Sequence, residues 1–203
     1  MSRRWWDEVL TALAVVYLAA FSYPAFVHPV TQQVQNILDS IQWVVYGVFA
    51  IDVVVGLAVS KNRKLYLRTH PLEVLSVALP VLRPLRLLRL ITVGSLVIQR
   101  VAVGRQFAIL VKVFLFSVLV AYIAAVQITI VERQIEGSNI KSFGDGLWWA
   151  LTTVTTVGYG DRYPTSTEGR AIAFALMLVG ISLMGVITAS VAAWFVKMSQ
   201  NEK

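Results

Sequence analysis

Four segments of this chain, residues 9–27, 40–60, 113–131 and 171–196, each hold no more than one charged side chain. Each approaches or exceeds the roughly 20 residues that a membrane-spanning helix needs. A bilayer interior offers no water to hydrogen-bond the backbone, so such segments must satisfy their own amides, as helices do. Composition agrees: 57% of the 203 residues are hydrophobic and only 14% charged, against about 25% charged in soluble domains. The sequence therefore predicts an all-α membrane protein.

Residues 65–98 are less regular, because Pro71, Pro80 and Pro84 interrupt them and Arg83, Arg86 and Arg89 lie inside them. They read as two short spans joined with almost no loop, which makes six transmembrane helices per subunit. Basic residues of short loops collect on the cytoplasmic side. Arg3 and Arg4, then Lys61, Arg63, Lys64 and Arg68, then Arg100 and Arg105 fall on one side only if there are six spans and both termini are cytoplasmic. The loop at 27–36 has no Lys or Arg, and the loop at 132–170 mixes four basic with five acidic residues, so both are assigned outside. The first apolar run is read as a retained helix, since no small-residue cleavage site precedes Phe21.

Several classes are excluded. The net charge of +7 flanks apolar spans and forms no stripe among aromatics, so no nucleic acid partner is expected. The chain has no Cys, hence no disulfide or thiolate site, and His28 and His70 stand in separate loops. No Ser/His/acid set, phosphate loop or metal-ligand cluster argues for an enzyme.

Two parts follow. Residues 1–98 hold four spans with scattered intramembrane charges. Residues 107–203 hold two spans, the inner one at 169–197, around a polar, aromatic loop. The linker at 99–106 is either a simple turn or a segment on the inner membrane surface whose bases reach phosphate headgroups.

The functional signal is FGDGLWWALTTVTTVGYGD at 143–161. A potassium ion entering a pore sheds most of its water, and main-chain carbonyls can replace that shell if successive C=O groups point inward. Gly158 and Gly160 permit the positive φ angles this requires. The Thr156 hydroxyl adds an oxygen at the inner end. Four copies about an axis would stack rings of oxygens from Thr156, Val157, Gly158 and Tyr159, so a homotetramer is implied. Trp148, Trp149 and Tyr159 suit a supporting cuff, each pairing a large ring with a polar tip. Ser142 or Asp145 can cap the short helix that follows, whose C-terminal end would favour a cation.

This run resembles the pore loop of the voltage-gated potassium channel family in its prokaryotic form. The resemblance implies a four-helix voltage-sensor-like domain, a two-helix pore domain with a re-entrant loop, and a filter of Thr156, Val157, Gly158, Tyr159 and Gly160. It also implies a hydrogen bond from Trp149 to Asp161 bracing the filter, and a gating hinge at Gly180. Gly180 and Gly185 of the last span read equally as close-packing points. The permeant K+ is the expected ion, with no other cofactor.

Arg83, Arg86 and Arg89 recur every third residue in an apolar segment, where arginine is costly and usually functional. They resemble the fourth helix of a voltage sensor, and Phe49, Asp52 and Glu73 resemble its charge-transfer site. The same charges can instead be static ion pairs that fix helix packing. The repeat stops after three, with Thr92, Ser95 and Ile98 next in register, and Gln42 stands where the family carries an outer acid. The expected function is a potassium-selective channel, voltage-gated, in a bacterial or archaeal cell membrane. The alternative is a voltage-independent channel whose first four helices form a collar. In either case the basic cluster at 61–68 would meet anionic lipid headgroups.

Overall fold

The computed structural model describes residues 3–60, 62–69, 87 and 105–201. Arg83, Arg86, Arg89 and Glu73, the two short spans read between 65 and 98, and most of the linker lie outside the described residues. All regular structure within them is helical, with no strand. The chain divides into two compact units, Met1–Val93 and Gly94–Lys203. Four of the described helices contain stretches long and apolar enough to cross a membrane: Glu8–Phe26, Gln32–Val59, Leu110–Glu132 and Thr167–Gln200.

The first unit contains α1 (Arg3–Phe26), α2 (Gln32–Val59) and the short α3 (Arg63–Thr69). Buried Leu10, Ala14, Tyr17 and Phe21 recur at three- and four-residue steps along α1, and Val45, Phe49 and Val53 at four-residue steps along α2. This is the spacing of one helix face, and α1 packs against α2. The Trp6 indole Nε1 donates to Asp52 Oδ1 at 2.6 Å, joining the start of α1 to the far half of α2.

The sequence placed the second span at 40–60, but α2 begins at Gln32, with Thr31 at its N-cap in extended conformation. Gln32 Nε2 donates to Asn36 Oδ1 at 3.0 Å and Ser40 Oγ to the Asn36 carbonyl at 2.7 Å. These bonds one turn apart sustain helix where polarity alone suggested loop. Apolar content delimits the membrane-embedded part of a helix and says little about how far it continues beyond.

The second unit contains α4 (Arg105–Glu132), α5 (Phe143–Val154) and α6 (Thr167–Asn201), all three in mutual contact. Its core gathers Ala121, Ala125 and Ile128 from α4, Trp149, Ala150 and Val154 from α5, and Ala173 and Leu176 from α6. The alanines bring backbones close, which is how helices pack where lipid is as apolar as the core.

Helix α6 runs unbroken through Gly180 and Gly185. A Cβ at Gly180 would lie 2.8 Å from the Val154 carbonyl oxygen, whereas one at Gly185 would meet nothing within 4 Å. Gly180 is thus the point where α6 meets the end of α5, which favours the close-packing reading of this residue. Gly180→Ala is expected to destabilise the unit by about 1–3 kcal/mol through overpacking, with Gly185→Ala neutral or better. Thermal melting of the two purified variants checks the contrast.

Candidate functional site

The site begins at the capped end of α5. Ser142 is the N-cap, its Oγ accepting from the Asp145 amide at 3.2 Å, while Asp145 Oδ2 accepts from the Ser142 amide at 2.9 Å. The two candidate caps therefore act together, as a reciprocal capping box. Asp145 Oδ1 also pairs with Arg162 Nε at 2.9 Å. Burial pushes the Asp145 carboxyl upward, but hydrogen bonds from the Ser142 amide and hydroxyl and the Lys141 amide, with the nearby Arg162 charge, hold it below the usual range.

At its other end α5 turns directly into the loop. The Thr156 amide donates to the Thr153 carbonyl at 3.0 Å, and the Val157 and Gly158 amides both donate to the Thr152 carbonyl, at 2.9 and 3.0 Å. Beyond that point φ is positive at Thr156 (62°), Gly158 (53°) and Gly160 (79°), but not at Val157 or Tyr159. In an ordinary strand successive residues face opposite sides. Reversing the hand at every second residue turns alternate peptide planes over, so carbonyls that would alternate fall on one side. Thr156 adopts this conformation without being glycine, at a cost on the order of 1 kcal/mol, and such strain concentrates at functional positions.

Side chains support the loop from behind. The Trp148 ring stacks on Tyr159, centroids 5.6 Å apart and 3° from parallel, and its Nε1 donates to Asp161 Oδ2 at 2.8 Å. The expected bond from Trp149 to Asp161 is thereby corrected. Adjacent helical residues point about 100° apart, and Trp149, 3% exposed, is turned into the core. The structure brings Trp148 of α5 against Tyr159 and Asp161 of the loop that contains residues 156–160. Phe49 and Asp52 lie on α2 of the other unit.

Two residues here escaped sequence reasoning. Glu132, fully buried at the end of α4, accepts from the Ser138 hydroxyl (2.9 Å), the Thr165 amide and hydroxyl (3.0 and 2.7 Å) and the Ser166 amide and hydroxyl (2.9 and 2.6 Å). An acid closing an apolar span, with Thr165, Ser166 and Thr167 opening the next, is a signal that could have found it, since a buried charge must be hydrogen-bonded. Asn139 contacts the loop just past Gly160, and nothing in its sequence context marks it.

Residues 115–197 match a family model described as "Ion channel". Among similar proteins, the "Calcium-gated potassium channel TvoK" of Thermoplasma volcanium is 39% identical over 85 residues, covering 42% of this chain and 24% of the relative. The "Voltage-gated potassium channel" of Aeropyrum pernix is 45% identical over 78 residues, 38% of this chain and 26% of the relative. The mouse "Voltage-gated potassium channel regulatory subunit KCNG1" is 32% identical over 150 residues, 70% of this chain and 29% of the relative. The matched segments thus span less than a third of the length of each of these relatives.

Proposed function

We propose, from the premise that residues 115–197 carry an ion-channel domain, that the chain is one subunit of a homotetrameric potassium channel in a cell membrane. The alternation of positive φ at Thr156, Gly158 and Gly160 carries this reading. It supplies, from one subunit, a row of carbonyls on a single side. Four such rows around an axis replace the hydration shell of K+ with rings of oxygens from Thr156, Val157, Gly158 and Tyr159, joined by the Thr156 hydroxyl. Val157 and Tyr159 are 55% and 68% exposed in the single subunit, as befits a filter completed by neighbouring copies.

The wider organisation belongs to the same proposal: six spans, both termini cytoplasmic, and a first unit that senses voltage. Names of relatives and the three-residue spacing of Arg83, Arg86 and Arg89 support voltage sensing. So does buried Phe49 one turn before Asp52. A second reading, a voltage-independent channel with a peripheral collar, is favoured by the arrest of the arginine repeat at Arg89.

Reconstituted vesicles loaded with K+ and diluted into K+-free medium test the proposal. Tracer rubidium should accumulate, and sodium-loaded vesicles should take up little. Equal uptake with either internal ion, or none from a verified tetramer, would sink it.

A further inference from the structure

We infer that Asn139 is a positioning residue that fixes the backbone at the outer end of the filter and so keeps the filter conducting when external K+ is scarce. The inference rests on the potassium-channel reading above. Asn139 Nδ2 donates to the Asp161 carbonyl at 3.0 Å, and its Oδ1 accepts from the Tyr163 amide at 3.2 Å. One side chain thus grips the backbone on both sides of Arg162. A carbonyl on one arm and an amide on the other leave only one orientation of the Asn amide that satisfies both.

The grip is firmly mounted. On one side of Asn139, Ser138 is buried and its hydroxyl donates to Glu132; on the other, Ile140 is fully buried in the core of the second unit. Glu132 meanwhile holds Thr165 and Ser166. The segment leaving the filter is therefore fastened at 161–163 by Asn139 and at 165–166 by Glu132. Asp161 is held twice, its carboxylate by Trp148 and its carbonyl by Asn139. Arg162, between the two gripped positions, reaches back to Asp145 on the cap of α5.

Gly160 precedes this segment directly and has φ 79°. Carbonyls crowded on one side of a chain repel one another when the cations between them leave, so the emptied filter stays open only if its ends are held. The Trp148 bond restrains a side chain and allows the Asp161 peptide to rotate. The Asn139 bonds restrain the peptide itself.

The test uses full-length wild-type, Asn139→Ala and Asn139→Asp tetramers in planar bilayers, with current followed as external K+ is withdrawn and restored. Asn139→Ala removes both bonds. Asn139→Asp keeps the size and the acceptor for Tyr163, loses the donor, and sets a negative charge against the Asp161 carbonyl. Both variants are expected to assemble and to conduct in high K+. Their current should decay about tenfold faster than wild type after withdrawal, the loss of one to two hydrogen bonds, and return when K+ is restored. Decay matching wild type in both variants overturns the inference. So does failure of both to form tetramers, which would assign Asn139 to assembly. A wild-type tetramer that passes no K+ current would instead refute the potassium-channel reading.

Discussion

Replacing Gly158 by Ala is expected to abolish selective potassium flux while leaving the tetramer assembled. The backbone at Gly158 has φ 53°, a left-handed conformation that costs an L-residue about 1–2 kcal/mol. In the proposed tetramer the cost falls four times at one level of the pore. Relaxing it means rotating the peptide planes beside it, which takes carbonyls out of the row that faces the ion. The core that joins α4, α5 and α6 is untouched, and a Cβ at Gly158 meets nothing within 4 Å in the subunit. Size-exclusion chromatography beside tracer uptake separates the two effects: a normal elution volume with uptake at background is the expected pair. Wild-type selective uptake from this variant would mean that the loop at 156–160 is not the filter.

Glu132→Ala is expected to cost the subunit on the order of 4 kcal/mol and to lower its melting temperature sharply. The Glu132 carboxylate is fully buried and accepts from Ser138, Thr165 and Ser166 at 2.6–3.0 Å. Two of those donors are backbone amides immediately ahead of α6, where a negative charge is favoured by the helix dipole. Truncation leaves these part-buried amides with no acceptor and unties the end of α4 from the start of α6. Glu132→Gln keeps the shape but presents an NH2 to hydrogen-bond donors, so an intermediate loss is expected. Melting of Glu132→Ala indistinguishable from wild type would show that these bonds contribute little.

The sequence carried the chemistry of the loop better than the directions of its side chains. Positive φ at Gly158 and Gly160 was legible because glycine adopts it freely, whereas positive φ at Thr156 was not, since its residue type rarely does. Trp148 and Trp149 are adjacent and chemically identical. Which one reaches Asp161 depends on how α5 is rotated against α4 and α6, a property of the packed unit. The early start of α2 was missed because Gln32, Gln35 and Asn36 read as loop, although each can sit on a helical turn that leaves the bilayer. Glu132 and Asn139 act across 33 and 22 residues of chain, on Thr165 and Asp161 respectively. For Glu132 the acid at the end of an apolar span was a usable signal; nothing local forecasts the pairing of Asn139.

The most direct measurement is the reversal potential of current through the purified protein in a planar bilayer, with potassium on one side and sodium on the other. A value close to the potassium equilibrium potential is predicted, since the carbonyl rings of the proposed tetramer would replace the hydration shell of K+. A value near zero, recorded from a verified tetramer, would mean that the pore does not distinguish the two ions and would contradict the account at its centre.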